Sequence, residues 1–487
     1  MTTMSEAPIT RLTERKSFVL IARNGQDSLL DKLENPLREH DFLVDSQPKN
    51  EIVPTIQSHA SLDYIVVMEV KDDYDLRTAQ DLKRRVPFTP LVVFCPESMA
   101  ARVTGIGTSV YIPVRKSVWT GAEKISVREV IDQLDRIRKA QQKGLNISIV
   151  GLGNLGGEIV DLLIEDLTKI EGGYIPFVRT ISITSKESFG SFATDRVNPI
   201  EQDAVRRRII TKDDVRELPL SDVIIIAARN RGYNPATLVK EHGVNARRKA
   251  FDYDRGVIED IGEKLRERGE KEGELVIVST NPVNVMSELL HRCSGISRDK
   301  ILANTSVDTI RFRRILAEEA TKLLRPEETI TADGIQGIVV GDHGPTMVPV
   351  YSYSTVGEVP LLEIEELKPR RVRGDITKRT RYEGDRVTEG RGSTRYEPAS
   401  ALRQFLRSLS EGEQTMPMGI YSEELSRTLG GPRGFTPVFL GMPPRIVDGR
   451  IVGITPLHLI KQEKRDLARS YREVRKTTDS LLESKAN

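Results

Sequence analysis

The stretch Val307-Asp308-Thr309-Ile310-Arg311-Phe312-Arg313 places a carboxylate and a guanidinium inside an apolar sequence. Apolar residues at 301–302 and 315–317 flank it, and this pattern predicts the buried start of a helix. Asp308 and Arg311 are three positions apart, so a helix carries them on one face. Charges in such surroundings are costly unless each is satisfied. The pair is therefore either a structural ion pair or part of a functional site.

Length and composition indicate a globular chain with more than one domain. With 487 residues the chain exceeds what one hydrophobic core normally holds, so about two or three domains are expected. A net charge of +2 argues against a general electrostatic footprint for nucleic acid. The N-terminus lacks a signal-peptide pattern, and no apolar run approaches the roughly 20 residues of a membrane span. We therefore expect no nucleic-acid partner and no membrane association.

The cysteines give a prediction about the cellular compartment. Cys95 and Cys293 stand in apolar or helical surroundings and have no metal-ligand spacing. This pattern favours a reducing, cytoplasmic location without a disulfide framework, and no metal site is predicted.

After a flexible N-terminus at residues 1–15, residues 16–142 alternate short β-rich runs with helical segments. The predicted strands are residues 18–21, 42–44, 64–67, 91–94 and 110–112, and the predicted helices include 29–38, 76–85 and 125–140. Strands that alternate with helices in this way predict an α/β domain with a small, doubly wound, flavodoxin-like parallel sheet.

This segment resembles a response-regulator receiver domain in pattern and length. A receiver has acidic residues after its first strand, where this chain has Ala22-Arg23-Asn24. It has a phosphorylatable aspartate after its third strand, where Met68 and Glu69 stand here. The resemblance therefore implies a domain without phosphotransfer, kept for binding a protein partner or for assembly. The alternative is a structural extension of the domain that follows.

The next predicted domain, residues 143–304, begins with a strand, a glycine-rich turn and a helix. The buried strand at 147–150 leads into Gly151-Leu152-Gly153-Asn154-Leu155-Gly156. The glycines allow a tight turn, close approach of a pyrophosphate, and contact between helix and strand. The helix N-terminus offers N–H groups to the phosphates. This arrangement predicts a Rossmann dinucleotide site that uses Gly151, Gly153, Asn154, Leu155 and Gly156.

The following strand bears on the choice between NAD and NADP. An NAD site places a carboxylate at the end of this strand, where it accepts hydrogen bonds from the adenosine ribose. Here the strand ends in Thr184-Ser185-Lys186, and the first acid is Glu187. These residues are predicted to bind cofactor and suit a 2′-phosphate, which slightly favours NADP. Glu187 could instead reach the ribose, so both cofactors stay open.

Five motifs together carry a resemblance to the lactate/malate dehydrogenase superfamily. They are I-V-G-L-G-N-L-G, S-T-N-P-V-N-V-M, V-D-T-I-R-F-R, V-V-G-D-H-G-P-T-M-V-P-V and G-R-G-S-T-R-Y-E-P-A, in family order and near family spacing over about residues 146–487. The resemblance implies a Rossmann cofactor domain followed by an α+β substrate domain at residues 305–487. It implies an NAD(P)-dependent oxidoreductase of small 2-hydroxy or 2-keto acids, which in this family commonly forms homo-oligomers.

The resemblance also assigns roles to matching positions. His343 looks like the acid/base that exchanges a proton with the substrate, and Asp308 looks like its orienting partner. Arg311 looks like the clamp on the substrate carboxylate. Asn281 is implied to contact substrate and nicotinamide, and Thr394 to line the substrate pocket. The alternatives are a structurally satisfied His343 and a structural Asp308–Arg311 pair.

One departure from the family pattern puts turnover in doubt. The family carries a pair of arginines on the loop after the fourth strand, and these align with Arg229 and Pro235 here. Arg229 suits a substrate with a second carboxylate, as in malate. Loss of the other arginine costs about 10²–10³ in turnover if nothing replaces it, and Arg231 is a candidate.

Two other functions follow from the same sequence. The first is a catalytically weak or inactive NAD(P)-binding regulatory or scaffold protein, because Pro235 replaces the loop arginine and the receiver-like domain lacks its acceptor. The second is an NAD-dependent glycosidase, which shares the fold but needs metal-ligating Cys and His, and Cys293 lies in no such motif. The arginine-rich residues 370–395 form either a solvated helix or an anion- or partner-binding surface.

Overall fold

The protein is described by a computed structural model that divides into two compact units. The first comprises Met1–Gly144, Asp166–Phe177 and Ile200–Arg208, and the second Leu145–Glu165, Val178–Pro199 and Ile209–Asn487. The described residues are 18–23, 32–40, 42–52, 54, 64–85, 91–96, 99, 110–113, 115–116, 123–124, 127–128, 130–131, 134, 144–168, 177–185, 206, 208–230, 232–242, 246–324, 329–391, 394–411, 416–425, 436–447, 449–457 and 459–483. The finer division into domains at 16–142, 143–304 and 305–487 stays a prediction.

The first unit contains a five-stranded parallel sheet in the order β2-β1-β3-β4-β5. Its strands are β1 (Phe18–Arg23), β2 (Leu43–Pro48), β3 (Tyr64–Glu69), β4 (Leu91–Cys95) and β5 (Val110–Pro113), followed by a short pair, β6 (Arg115–Lys116) and β7 (Glu123–Lys124). Its helices are α1 (Glu34–Glu39) and α2 (Asp73–Arg85). All the strands predicted for this region are present, whereas most of the predicted helix 125–140 lies outside the described residues.

Both faces of this sheet are buried, as expected for parallel strands. Alternate residues of β1 point to opposite faces. Val19 and Ile21 pack with Leu37 of α1, whereas Leu20 packs with Leu76 of α2. Helix α2 starts before the predicted residue 76 because the Asp72 side chain accepts the N–H of Asp75, at 2.9 Å, and so caps the first turn.

The second unit contains an eight-stranded mixed sheet and three small sheets of two or three strands. Its strands are β8 (Leu145–Val150), β9 (Val178–Thr184), β10 (Ile209–Lys212), β11 (Val223–Ile226), β12 (Leu275–Val278), β13 (Ile301–Ala303), β14 (Ile335–Gln336), β15 (Val339–Val340), β16 (Val348–Pro349), β17 (Thr355–Val356), β18 (Val359–Pro360), β19 (Met418–Tyr421), β20 (Phe439–Met442), β21 (Pro444–Val447) and β22 (Arg450–Ile454). The helices are α3 (Asn154–Thr168), α4 (Pro235–His242), α5 (Ala246–Arg268), α6 (Val283–Ser294), α7 (Ser306–Leu324), α8 (Arg370–Arg391), α9 (Tyr396–Glu411) and α10 (Lys461–Glu483).

The order of the large sheet is β10-β9-β8-β11-β12-β13-β19-β20. Strands β8 to β13 run parallel, and β19 and β20 add antiparallel at one edge. The parallel part has the strand order of dinucleotide-binding sheets, and its order reverses between β8 and β11. Ligands of such sheets bind beyond the carboxyl ends of the strands, at this switch point.

Two helices of this unit lie in one stretch that the sequence predicts to be helical. The sequence from about 236 to 268 is expected to be helical, and the structure describes α4 and α5 within it. Residues 243–245, between these two helices, lie outside the described residues. No helix in the part of the chain that the structure describes is long and apolar enough to cross a lipid bilayer.

Candidate active site

The glycine turn between β8 and α3 has the geometry of a phosphate cradle. Gly151 has a φ of +96°, and a Cβ there would lie 2.6 Å from the Cα of Ala228. A Cβ on Gly156 would clash with the carbonyl oxygen of Gly151, so both positions require glycine. A Cβ on Gly153 would meet no heavy atom within 4 Å, which leaves open space for a ligand. The turn can therefore accept a pyrophosphate.

A cavity of about 770 Å³ opens at this turn, and we call it the glycine-turn cavity. The residues predicted to bind cofactor that line it are Gly151, Gly153, Asn154, Thr184 and Ser185. Leu155 and Asn281 instead line a neighbouring cavity, and Gly156 packs beneath the turn. Lys186 lies outside the described residues.

Two carboxylates that sequence reasoning missed, Asp213 and Asp214, also line the glycine-turn cavity. They follow β10, which pairs with β9 in parallel. The slight preference for NADP rested on the lack of an acid at the end of β9 and on the hydroxyls and lysine of Thr184-Ser185-Lys186. The adjacent strand supplies the acids that the end of β9 lacks. The sequence analysis predicted no strand at residues 209–212, and the place of these acids beside β9 depends on the strand order.

His343 and Asp308 come together across a long sequence separation. The turn between β15 and β16 carries His343, and the first turn of α7 carries Asp308. Nδ1 of His343 lies 2.7 Å from Oδ2 of Asp308. Asp308 is 1% exposed, so this carboxylate needs its partner. A hydrogen bond from Nδ1–H leaves Nε2 as the ring nitrogen that can exchange a proton with a ligand.

The histidine turn is held from two sides. Gly341 pairs with Gly441 through a β-bridge, and its φ of +95° suits glycine. The backbone N–H of Asp342 donates to Oγ of Ser470 on α10, at 2.7 Å. Thr346 donates to the Asp342 carboxylate at 3.1 Å. These contacts fix the backbone that carries His343.

Arg311 lies one turn from Asp308 on α7 and is 4% exposed. Its Nη1 is 3.9 Å from Oδ1 of Asp308, which is longer than a hydrogen bond. Its Nε donates to Glu397 of α9 at 3.0 Å. A Cβ on Gly384 of α8 would lie 2.9 Å from Nη1, so that glycine makes room for the guanidinium. The pair is thus more than a self-contained ion pair, since each member has its closest partner elsewhere.

These residues border a cavity of about 250 Å³, which we call the His343 cavity. The residues predicted to bind substrate or to catalyse that line it are Arg229, Asn281, Asp308, Arg311, His343 and Thr394. Thr280, which follows β12, connects the ends of two neighbouring strands, because its hydroxyl donates to the carbonyl of Ala228 after β11 at 2.6 Å. The predicted set is therefore gathered at the carboxyl ends of β11 and β12, beside the glycine turn.

The loop after β11 is anchored by a buried acid that sequence reasoning missed. Asp254 of α5 is 1% exposed and accepts the N–H of Asn230 at 2.7 Å. It also accepts the hydroxyl of Tyr233 at 2.5 Å. Burial raises the pKa of Asp254, and burial likewise raises the pKa of the Tyr233 phenol. Arg229 lies over the Tyr233 ring at 5.6 Å from its centre, so the loop presents Arg229 from a fixed base.

Position 235 faces the same cavity. Pro235 lines the His343 cavity and begins α4, where the missing N–H of proline costs nothing. The alternative donor Arg231 lies outside the described residues.

Arg381 is a further cation at the His343 cavity. It belongs to the arginine-rich stretch 370–395, and its Nε and Nη2 donate to the carbonyl of Met347 at 3.1 and 2.9 Å. Burial lowers the pKa of its guanidinium. The composition of this stretch was the signal for an anionic ligand, but composition alone does not select Arg381 among its neighbours.

The structure gives no support to metal-dependent chemistry at Cys293. Among the described residues, no group of His, Cys, Asp and Glu is arranged to hold a metal ion. Burial raises the pKa of the Cys293 thiol to about 11, and its Sγ packs against Gly262. The glycosidase alternative lacks its ligand set within this part of the chain.

Part of the chain matches lactate/malate dehydrogenases in sequence. Residues 305–484 match the family described as lactate/malate dehydrogenase, alpha/beta C-terminal domain. The malate dehydrogenase of Bacillus pumilus is 30% identical over 205 residues, which is 41% of this chain and 60% of the relative. That of Geobacillus kaustophilus is 32% identical over 204 residues, 41% of this chain and 60% of the relative. The alignments thus span about 60% of the length of these relatives.

Solved structures show the same fold. The malate dehydrogenase of Cryptosporidium parvum superposes with a TM-score of 0.55 at 20% identity, covering 70% of this chain and 99% of that one. The lactate dehydrogenase of Cryptosporidium parvum, complexed with lactic acid and β-nicotinamide adenine dinucleotide, gives a TM-score of 0.55 at 20% identity, covering 70% and 98%. Part of this chain is therefore similar in sequence to lactate/malate dehydrogenases, and the solved structures show that it shares their fold.

Proposed function

We propose that the second unit is an NAD-dependent dehydrogenase that interconverts a 2-hydroxy acid and its 2-keto acid, with a malate-like dicarboxylate as substrate. The observation that carries the proposal is the 2.7 Å contact between His343 and Asp308 in the cavity that Arg311 also lines. An acid/base, its orienting carboxylate and a carboxylate-binding guanidinium are the groups this reaction needs. The glycine turn beside them suits the pyrophosphate of a dinucleotide.

His343, Asp308 and Arg311 have different roles in the proposed reaction. When bound, the nicotinamide gives or takes the hydride at C2 of the substrate. In reduction, Nε2 of the protonated His343 gives its proton to the C2 oxygen, and in oxidation it takes that proton back. Asp308 orients the imidazole and stabilises its positive charge. Arg311 grips the C1 carboxylate, for which a planar fork of N–H donors is suited.

Specificity follows from the remaining polar groups at the His343 cavity. Arg229 supplies a positive charge for a second carboxylate, and its position over the Tyr233 ring limits its freedom. Asn281 offers an amide to substrate and nicotinamide, and Thr394 a hydroxyl at the rim. NAD is proposed over NADP because the glycine-turn cavity is lined by Asp213 and Asp214, whose charge disfavours an added phosphate.

The direct test is a turnover assay with the full chain. Purified protein is mixed with oxaloacetate or pyruvate and with NADH or NADPH, and the loss of reduced nicotinamide absorbance is followed. We expect the highest kcat/KM for oxaloacetate with NADH. Folded protein that binds the cofactor but turns over neither keto acid would refute the proposal.

The second candidate function is that of a cofactor-binding regulatory or scaffold protein, and Pro235 is the observation that favours it. A single substitution separates the two. Pro235→Arg is expected to raise kcat at least about tenfold, since a donor of this kind is worth about 10²–10³. Arginine at the first position of α4 costs the helix little, and position 235 already faces the cavity.

Pro235→Ala is the matched control for this change, because it removes the proline without adding a donor. Steady-state rates of both variants with oxaloacetate and NADH are compared with those of the native chain. If alanine raises the rate as much as arginine does, loop flexibility rather than a missing donor limits turnover. If neither variant shows any turnover although NADH binds, the regulatory function is favoured.

For the first unit, we propose a flavodoxin-like domain of the receiver type that has no phosphotransfer. The strand order β2-β1-β3-β4-β5 supports the fold, since flavodoxin and receiver sheets have this order. Met68 and Glu69 end β3, and Glu69 is 7% exposed and paired with Lys71 at 3.1 Å. Binding of a protein partner by this domain, and assembly of the whole chain as a homo-oligomer, stay predictions.

A further inference from the structure

The carboxyl ends of β9 and β10 together form the outer wall of the glycine-turn cavity. The two strands pair in parallel, with Lys212 opposite Thr184. The next residues along each strand, Asp213 and Ser185, both line the cavity. An acid that a dinucleotide sheet usually carries at the end of its second strand is thus present one strand further out.

The two acids at this end of the cavity differ in the hydrogen bonds and ion pairs that they make. Asp214 caps the short 3₁₀ helix Val215–Glu217 by accepting the N–H of Arg216 at 2.9 Å. Its side-chain hydrogen bond from Arg216 holds its pKa well below the usual range, and Lys264 adds a charge at 3.6 Å. Asp213 is exposed and has no hydrogen bond or ion pair within the described parts of the chain. Asp213 is therefore the carboxylate left for a ligand.

The cations near this wall have partners of their own. Lys264 lies 3.0 Å from Asp260 as well as 3.6 Å from Asp214. Lys212 lies 3.9 Å from Glu217. Arg229 and Arg395 also line the glycine-turn cavity. Each of them lines a second cavity as well, and both of those cavities include Asn154 of the glycine turn. Among the described residues at this wall, Lys212 and Lys264 are each paired with an acid, and the acids are in excess.

We infer that Asp213 is the residue that selects NAD over NADP in this protein. Its carboxylate accepts hydrogen bonds from the adenosine ribose hydroxyls, as an acid at the end of the neighbouring strand does in other dinucleotide sheets. A 2′-phosphate at the same place would bring nearly two more negative charges against it. The inference rests on the proposed function, because it assumes that the glycine-turn cavity holds a nicotinamide dinucleotide.

The test measures binding rather than turnover. Dissociation constants of NADH and NADPH are determined by calorimetry on the full chain and on Asp213→Ser and Asp213→Asn. For the native chain we expect NADPH to bind at least about tenfold more weakly than NADH, because the 2′-phosphate and the Asp213 carboxylate carry like charges and repel each other. Asp213→Ser is expected to reduce that ratio at least about tenfold. Asp213→Asn separates charge from shape, and should weaken NADH less than it strengthens NADPH.

Asp333→Asn serves as the matched control, since Asp333 is an exposed carboxylate of the same unit that lines neither cavity. Its NADPH-to-NADH ratio should equal that of the native chain, and thermal melting checks that every variant is folded. An unchanged ratio in both Asp213 variants would overturn the inference and leave the proposed function standing. Binding with the expected ratios but without turnover would refute the dehydrogenase and support the inference. A native chain that binds neither nucleotide would overturn both.

Discussion

Replacing His343 by asparagine is expected to lower kcat/KM for oxaloacetate reduction by about 10²–10⁴-fold, while the affinity for NADH stays unchanged. Asparagine can still face the Asp308 carboxylate, which lies 2.7 Å from Nδ1 of the native ring. It cannot, however, carry a proton to or from the substrate oxygen near neutral pH. Initial rates over a range of oxaloacetate concentrations, with NADH binding measured by calorimetry, check both parts of this expectation.

Asp308→Asn is the matched variant for this experiment. It keeps the shape of the side chain but removes the charge that stabilises the protonated imidazole, and it weakens the acceptor that fixes the tautomer. Its loss of turnover should be of similar order, and the double variant should lose little more than either single one, because the two groups act as a unit. A His343→Asn protein with native rates would contradict the assigned proton transfer.

The predictions of local structure that the coordinates match are those with a signal in a few consecutive residues. The conformation of the glycine turn after residues 147–150 can be predicted from its own sequence, because a positive φ at position 151 and the lack of space for a Cβ at position 156 both require glycine. Asp308 and Arg311 share a face of α7 because helical spacing dictates it. The strands of the first unit could also be predicted from sequence, because buried parallel strands are short apolar runs.

What the sequence did not reveal was contributed by elements far apart in the chain. Glu397 reaches Arg311 across 86 residues, and the buried Asp254 reaches Asn230 across 24 residues. These partners are set by how α9 packs on α7 and α5 on the loop after β11, which no local pattern encodes. The choice between NAD and NADP, which the sequence left open, depends on the same kind of distant contact. The end of β9 was judged alone, whereas the cavity wall also includes the end of β10 and its acid Asp213.

Arg311→Lys is expected to raise KM for every 2-keto acid by roughly 10²-fold, with a smaller fall in kcat. Lysine keeps the positive charge beside Asp308 and Glu397 but loses the planar fork that holds a carboxylate through two N–H donors. Retaining the charge matters, because leaving the buried Asp308 and the partly buried Glu397 without this cation would cost about 3–5 kcal/mol, and a loss of stability would then be mistaken for a loss of binding. The variant therefore tests recognition at a site whose side chain is 4% exposed.

Arg229→Gln is the control that separates the two carboxylates of the substrate. Arg311 is assigned to the C1 carboxylate, which pyruvate and oxaloacetate share, so Arg311→Lys should impair both by similar factors. Arg229 is assigned to the second carboxylate, so Arg229→Gln should impair oxaloacetate by about tenfold or more and pyruvate hardly at all. Rates and KM values for both acids, measured with saturating NADH, decide the matter. If Arg311→Lys spared pyruvate while Arg229→Gln impaired both acids, the two arginines would have exchanged roles, and the substrate would lie reversed between α7 and the loop after β11.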